Sequence, residues 1–113
     1  MKKEDCVFCK IINREIPSTI VYEDEEIIAF EDIAPIAPVH ILIVPKEHIK
    51  WAMDIDESNA SIVGHIACVA AKIAKELGLS SYRLQTNCGE DAGQTIFHLH
   101  FHLLGGKVLS NEV

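Results

Sequence analysis

Between Phe97 and Leu104 the chain reads FHLHFHLL, a strict alternation of histidine with apolar residues. In an extended strand successive side chains point to opposite faces. His98, His100 and His102 then share one face, and Phe97, Leu99, Phe101 and Leu103 share the other. A helix would scatter both sets. The pattern predicts a strand over 96–104 that packs Phe97, Leu99, Phe101 and Leu103 on a core. The opposite face needs its own explanation, because a polar ring buried without partners is costly. Same-face neighbours on a strand stand about 6.6–6.8 Å apart, so three span about 13 Å. Two neighbours can converge on a metal; three cannot easily ligate one ion. A row of three suits a reaction groove, with one imidazole as nucleophile and its neighbours positioning it and holding an anion.

The rest of the chain supplies the frame for such a strand. A length of 113 residues predicts one domain, 1–113, with a small core. VFCKIIN (7–13) suits one or two helical turns. Segments at about 19–23 and 26–31 are rich in β-branched and aromatic residues and flank acidic turn residues, as in a hairpin. IAPIAPV (33–39) carries two prolines and is expected to be a loop. HILIVPK (40–46) is an almost unbroken apolar run, as in a strand buried on both faces. Over 57–77, Ile62, Ile66, Val69, Ile73 and Leu77 fall on one helical face. Asp54 and Glu57 stand where caps would, and Gly78 where the helix would stop. A strand at 82–89, a glycine turn at 89–94 and the histidine strand follow. This order predicts an α+β fold with an antiparallel sheet, not a doubly wound parallel one.

Several function classes are excluded at this level. No apolar run approaches the roughly 20 residues of a membrane span. The opening MKKEDC places Glu4 and Asp5 where a signal peptide would be apolar, so a cytoplasmic protein is expected. The net charge of −7 disfavours nucleic acid, whose affinity depends on neutralising phosphates. One small phosphorylated ligand remains compatible, since a few backbone N–H groups can hold it. Cys68 and Cys88 read as small buried hydrophobes. Cys6 and Cys9 form a Cys-x-x-Cys, which in a reducing compartment points to metal or redox chemistry. No thioredoxin-like βαβ pattern surrounds it, and two thiolates are half of a structural zinc site.

The run His98-Leu99-His100-Phe101-His102-Leu103-Leu104 resembles, at every position, the signature of the histidine triad (HIT) family. The similarity extends through IINREIPSTIVYEDEEIIAFEDIAPIAPVHILIVPKEHI (11–49), through GQTIFH (93–98) before the triad, and through LGG (104–106) after it. The last of these is similar to the Hint branch. The resemblance implies the HIT-like fold: a sheet of about five antiparallel strands, one long helix and a short N-terminal helix. It also implies a homodimer, with the long helix and a sheet edge at the contact. The small residues of VGHIACVAAKIA (63–74) allow close helix packing, between subunits or within one.

The resemblance further implies hydrolysis or transfer at a nucleotide α-phosphate through a nucleotidyl-histidine. His100 would be the nucleophile, His102 would contact the phosphate, and Thr95 would meet the leaving group. Gly93, Gln94 and Asn87 would lie around the phosphate and ribose. Asp32 would hold the ribose hydroxyls, Ile33, Phe30, Phe8 and Ile11 would form the base pocket, and His40 would support the triad. A start with Cys-x-Phe-Cys resembles a zinc-bearing bacterial version, in which His48 and His98 complete the set with Cys6 and Cys9; His98 could then not act as a base. No organic cofactor is implied. The expected substrate is a purine nucleoside 5′-phosphoramidate, with AMP or GMP as product. Dinucleoside polyphosphate hydrolysis, a non-catalytic nucleotide-binding scaffold and a zinc-carrying structural module are the alternatives. The Trp-Pro tail common in the Hint branch is missing: the chain ends KVLSNEV and its one tryptophan is Trp51.

Overall fold

In the computed structural model the described residues are 5–110. The lysines and Glu4 of the opening, and the last three residues of the tail, lie outside them. Five antiparallel strands form one sheet in the order β1-β2-β3-β5-β4. They are β1 (Ile20–Glu23), β2 (Ile27–Glu31), β3 (Val39–Pro45), β4 (Tyr82–Gln85) and β5 (Phe101–Gly105). A short helix α1 (Val7–Ile12) precedes the sheet, and a long helix α2 (Ser61–Glu76) separates β3 from β4. The α+β architecture expected from the sequence, an antiparallel sheet with one long helix and a short N-terminal helix, is the one observed. No helix among the described residues is long and apolar enough to cross a membrane.

The sheet register assigns each face its own core. Ala29 pairs with Ile43, and Ile41 with Leu103. Their side chains join Ile27 and, from α2, Ile66, Val69, Ala70 and Ile73 in one cluster. On the opposite face Phe30 pairs with Leu42 and Ile28 with Val44. These four pack with Cys6, Phe8, Cys9 and Ile11 of the α1 segment. β3 is therefore buried on both faces, which is why its sequence shows no alternation. Leu42 also pairs with His102, so the histidine face is the α1 face.

The histidine strand is shorter than its sequence pattern. Continuing the register of β3 and β5 would place Leu99 opposite Pro45, which has no N–H to give to a ladder. Leu99 instead donates to the carbonyl of Ile49 at 2.6 Å, and the regular strand begins only at Phe101. His98 and His100 thus stand on the approach to β5. Phe97 does not reach the core; it is exposed, edge-on to Trp51, with the Lys50 ammonium 4.1 Å over the Trp51 ring.

Other boundaries also shift. α2 begins at Ser61 rather than 57, and neither Asp54 nor Glu57 caps it. Asp56 organises the preceding turn, accepting from the N–H and hydroxyl of Ser58, while Asn59 accepts from the N–H of Asp56. Leu77 lies past the helix end and is exposed, and Gly78 takes the left-handed stop conformation at φ 72°. β4 ends at Gln85 rather than at 89. Cys68 is exposed on α2 and Cys88 half-buried, so neither is a core hydrophobe.

Candidate active site

His100 is held by two backbone-directed bonds. Its ring Nδ1–H donates to the carbonyl of His98 at 2.7 Å, and its own carbonyl accepts from the Thr86 hydroxyl at 2.7 Å. Phe8 lies edge-on to the ring with centroids 5.0 Å apart. With the proton fixed on Nδ1, the lone pair is on Nε2. No group among the described residues bonds Nε2, yet no buried side-chain nitrogen or oxygen lacks a partner, so Nε2 is reached by solvent. Burial holds the His100 pKa below the usual histidine value, against the pull of the His98 carbonyl and the Asp32 charge. The ring is therefore neutral near pH 7.

His102 is reached through His40. His40 stands on β3 diagonally across from His102, and its Nε2 is 2.9 Å from His102 Nδ1. The Ile36 N–H donates to His40 Nδ1 at 3.2 Å, so the His40 proton belongs on Nε2. His102 must then accept at Nδ1 and carry its own proton on Nε2. Burial pushes the His102 pKa down to about 4 and lowers that of His40. Asp32 Oδ2 lies 3.4 Å from His40 Nε2, and Oδ1 accepts from the Ala34 N–H at 2.8 Å. Asp32, His40 and His102 also cluster closely enough to suggest a cation site. The Ile36 N–H argues against one, because it leaves a proton, not a lone pair, on the His40 nitrogen that would ligate.

A second cluster is a candidate metal centre. Cys6, Cys9, His48 and His98 each offer one donor atom, and all four lie within 4.8 Å of one another. Cys6 Sγ is 3.3 Å and Cys9 Sγ 3.6 Å from His98 Nδ1, and Cys9 Sγ is 3.3 Å from His48 Nδ1. A tetrahedral zinc with usual bond lengths would separate a sulfur and a nitrogen ligand by about 3.5 Å. The His98 Nε2–H donates to the Pro45 carbonyl at 2.8 Å, which turns the Nδ1 lone pair toward the thiols, as outer-sphere partners of ligating histidines do. His98 is completely buried and its pKa is pushed down to about 4, chiefly by burial. Burial also pushes the Cys6 thiol up, a cost that a bound cation would remove.

The remaining candidates divide. Phe8, Ile11 and Phe30 are buried together in the α1-side core, whereas Ile33 is 97% exposed and outside that cluster. Gln94 is buried, and its side chain ties its own loop to the segment at Lys50: Oε1 accepts from the Gly89 N–H, and the amide donates to the carbonyls of Lys50 and Ile96. Gly93 adopts φ 96°, and a Cβ there would meet the Asn87 amide at 3.3 Å, so the glycine lets the turn close against Asn87. Thr95 is exposed and lines a cavity of about 400 Å³ with Cys6, His48, Lys50 and Phe97. Sequence reasoning missed Thr86, which anchors the His100 backbone; a threonine just after a strand gives no signal of that bond.

The chain matches, over residues 5–112, the family model described as scavenger mRNA decapping enzyme C-terminal binding. It is 50% identical to an uncharacterized HIT-like protein of Rickettsia prowazekii, over 96% of this chain and 93% of that one. A HIT family hydrolase structure from Clostridium thermocellum superposes with a TM-score of 0.95 at 58% identity, covering 99% of both chains. A hypothetical histidine triad nucleotide-binding protein from Sulfolobus tokodaii superposes with a TM-score of 0.79 at 40% identity, over 88% of this chain and 68% of that one.

Proposed function

The chain belongs to the histidine triad (HIT) family, and on that premise we propose that it hydrolyses purine nucleoside 5′-phosphoramidates through a nucleotidyl-His100 intermediate. The observation that carries this reading is the bond from His100 Nδ1–H to the His98 carbonyl, which leaves the Nε2 lone pair for attack at phosphorus. A new N–P bond forms as the P–N bond to the leaving group breaks, and the leaving nitrogen takes a proton from solvent and departs as ammonia or an amine. The His100 ring becomes cationic at that point, and its Nδ1–H bond to the carbonyl stabilises the charge. Water then attacks phosphorus, releasing the nucleoside monophosphate and restoring neutral His100. His102, with its proton on Nε2, donates to a phosphate oxygen, a contact that strengthens as charge develops.

Asp32 holds the ribose hydroxyls beside a cavity lined by Pro17, Ser18, Thr19 and Ile33. Thr95 meets the leaving group, and Gly93, Asn87 and the loop shaped by Gln94 complete the phosphate side. Phe8, Ile11 and Phe30 back the base, with the exposed Ile33 covering it. Cys6, Cys9, His48 and His98 hold a structural zinc: four protein donors fill a tetrahedral ion and leave no open position for reaction chemistry. The protein acts as a homodimer, and no nucleic acid or membrane takes part.

The test is AMP release from adenosine 5′-phosphoramidate. Wild-type turnover that His100→Ala abolishes supports the reading. AMP binding without turnover of this substrate or of a dinucleoside polyphosphate would replace it with a binding scaffold.

A further inference from the structure

We propose that Asp32 has a second role beyond the ribose: it is a positioning residue that orients His102 through His40. The inference rests on the proposed reaction at this site. The carboxylate lines two cavities, one with Pro17, Ser18, Thr19 and Ile33 and one with Pro38, Val39, His40 and Leu77.

Its two oxygens have different tasks. Oδ1 is fixed by the Ala34 N–H at 2.8 Å, which sets the carboxylate plane. Oδ2 lies 3.4 Å from His40 Nε2, a polar contact rather than a hydrogen bond, and the backbone N–H of Asp32 donates to the His40 carbonyl at 3.0 Å. Two hydrogen bonds fix the His40 ring, one from the Ile36 N–H to Nδ1 and one at 2.9 Å between Nε2 and His102 Nδ1, and the Asp32 carboxylate lies beside that same Nε2. One tautomer of His40 satisfies them. It carries its proton on Nε2, which the Asp32 charge favours, obliges His102 to accept at Nδ1, and so leaves the His102 proton on Nε2. The Asp32 charge also acts on His40, His100 and His102 in the same sense, favouring positive charge on each.

Asp32→Asn separates this role from the ribose contact. The asparagine keeps the Ala34 bond through its carbonyl. Its amide N–H then faces a His40 nitrogen that already bears a proton, and two donors oppose each other. The Ile36 N–H alone then favours the Nε2–H tautomer of His40, and the hold on His102 weakens.

The experiment compares wild type and Asp32→Asn on adenosine 5′-phosphoramidate and on its 2′,3′-dideoxy analogue, together with nitrogen NMR of the histidine rings in the free proteins. Without ribose hydroxyls a pure ribose holder has nothing to contribute, so the dideoxy substrate isolates the second role. The expected result is a kcat on the dideoxy substrate lowered by about tenfold or more, as when the carboxylate orienting a catalytic imidazole is neutralised, with KM little changed. His102 should change from a single Nε2–H tautomer to a mixture. A dideoxy kcat equal to that of wild type, or an unchanged His102 tautomer, overturns the proposal. If wild type hydrolyses neither substrate, the phosphoramidase reading fails instead, and the NMR result alone decides the role of Asp32.

Discussion

His98 and His100 are joined ring to backbone: the Nδ1–H of His100 donates to the carbonyl of His98 at 2.7 Å. The ring of His98 lies between the two thiols and the Pro45 carbonyl. One residue thus belongs to the candidate metal centre by its side chain and to the nucleophile by its backbone. Metal binding and the placement of His100 are mechanically connected.

Metal removal should therefore affect both stability and turnover. A Cys6→Ser, Cys9→Ser double variant should lose bound zinc and melt lower by at least about 5 °C, the scale of roughly 1 kcal/mol in a domain of this size. Its turnover should fall without vanishing, because His100 is retained. Elemental analysis with a thermal melt checks the first claim and a turnover assay the second; full activity in metal-free variant protein would disconnect the two sites.

The backbone of His100 has a second tether. Thr86→Val keeps the shape of the side chain but removes the donor to the His100 carbonyl. The expected loss is about 1–2 kcal/mol in denaturant unfolding, with a lower kcat. Unchanged stability and kcat would show that the hydroxyl is dispensable.

The pH dependence follows from burial. His100 has its pKa lowered, so the neutral nucleophile persists below the ordinary histidine pKa of about 6.5 and the acid limb of kcat/KM should lie lower still. Stability has the same sign. His102, pushed down to about 4, stays neutral in the folded chain while the unfolded chain takes up a proton below about 6.5. Its contribution is constant above that pH and becomes increasingly unfavourable to folding as the pH falls toward 4. An acid limb centred above 7 would contradict the burial of His100.

Gly105 and Gly106 explain the LGG after the triad. A Cβ on Gly105 would stand 2.9 Å from Leu79 Cδ1 and 3.3 Å from the Ser81 carbonyl oxygen. Gly106 takes φ 89°, and a Cβ there would come within 3.0 Å of Pro38. Gly105→Ala should destabilise the protein by about 1–3 kcal/mol, since Leu79 must give way. Urea unfolding measures it, and a midpoint shift near zero would mean that the loop holding Leu79 adjusts freely.

The fold was legible where periodicity is dictated by burial. Ile66, Val69 and Ile73 lie on the α2 face that meets the sheet, and the alternation at Phe101, His102 and Leu103 marks a true strand. Legibility failed where a contact distant in sequence intervened. Nothing in FHLHFHLL shows that Pro45 would end the ladder, or that Leu99 would bond to Ile49 instead. The candidate site divides in the same way. Spacing marks the histidines and the Cys-x-x-Cys, and resemblance pairs His48 and His98 with Cys6 and Cys9. The link from Asp32 to His40 and the Thr86 bond depend on chain crossings that local sequence does not encode.

The proposed covalent catalysis by Nε2 of His100 is tested by a base quench of the enzyme during turnover of adenosine 5′-phosphoramidate, with mass spectrometry of its peptides. An adenylate mass is expected on the peptide holding His100, absent in His100→Ala, which should also lose turnover by about a thousandfold or more. Rapid AMP release with no adduct, or an adduct that persists in His100→Ala, would contradict it.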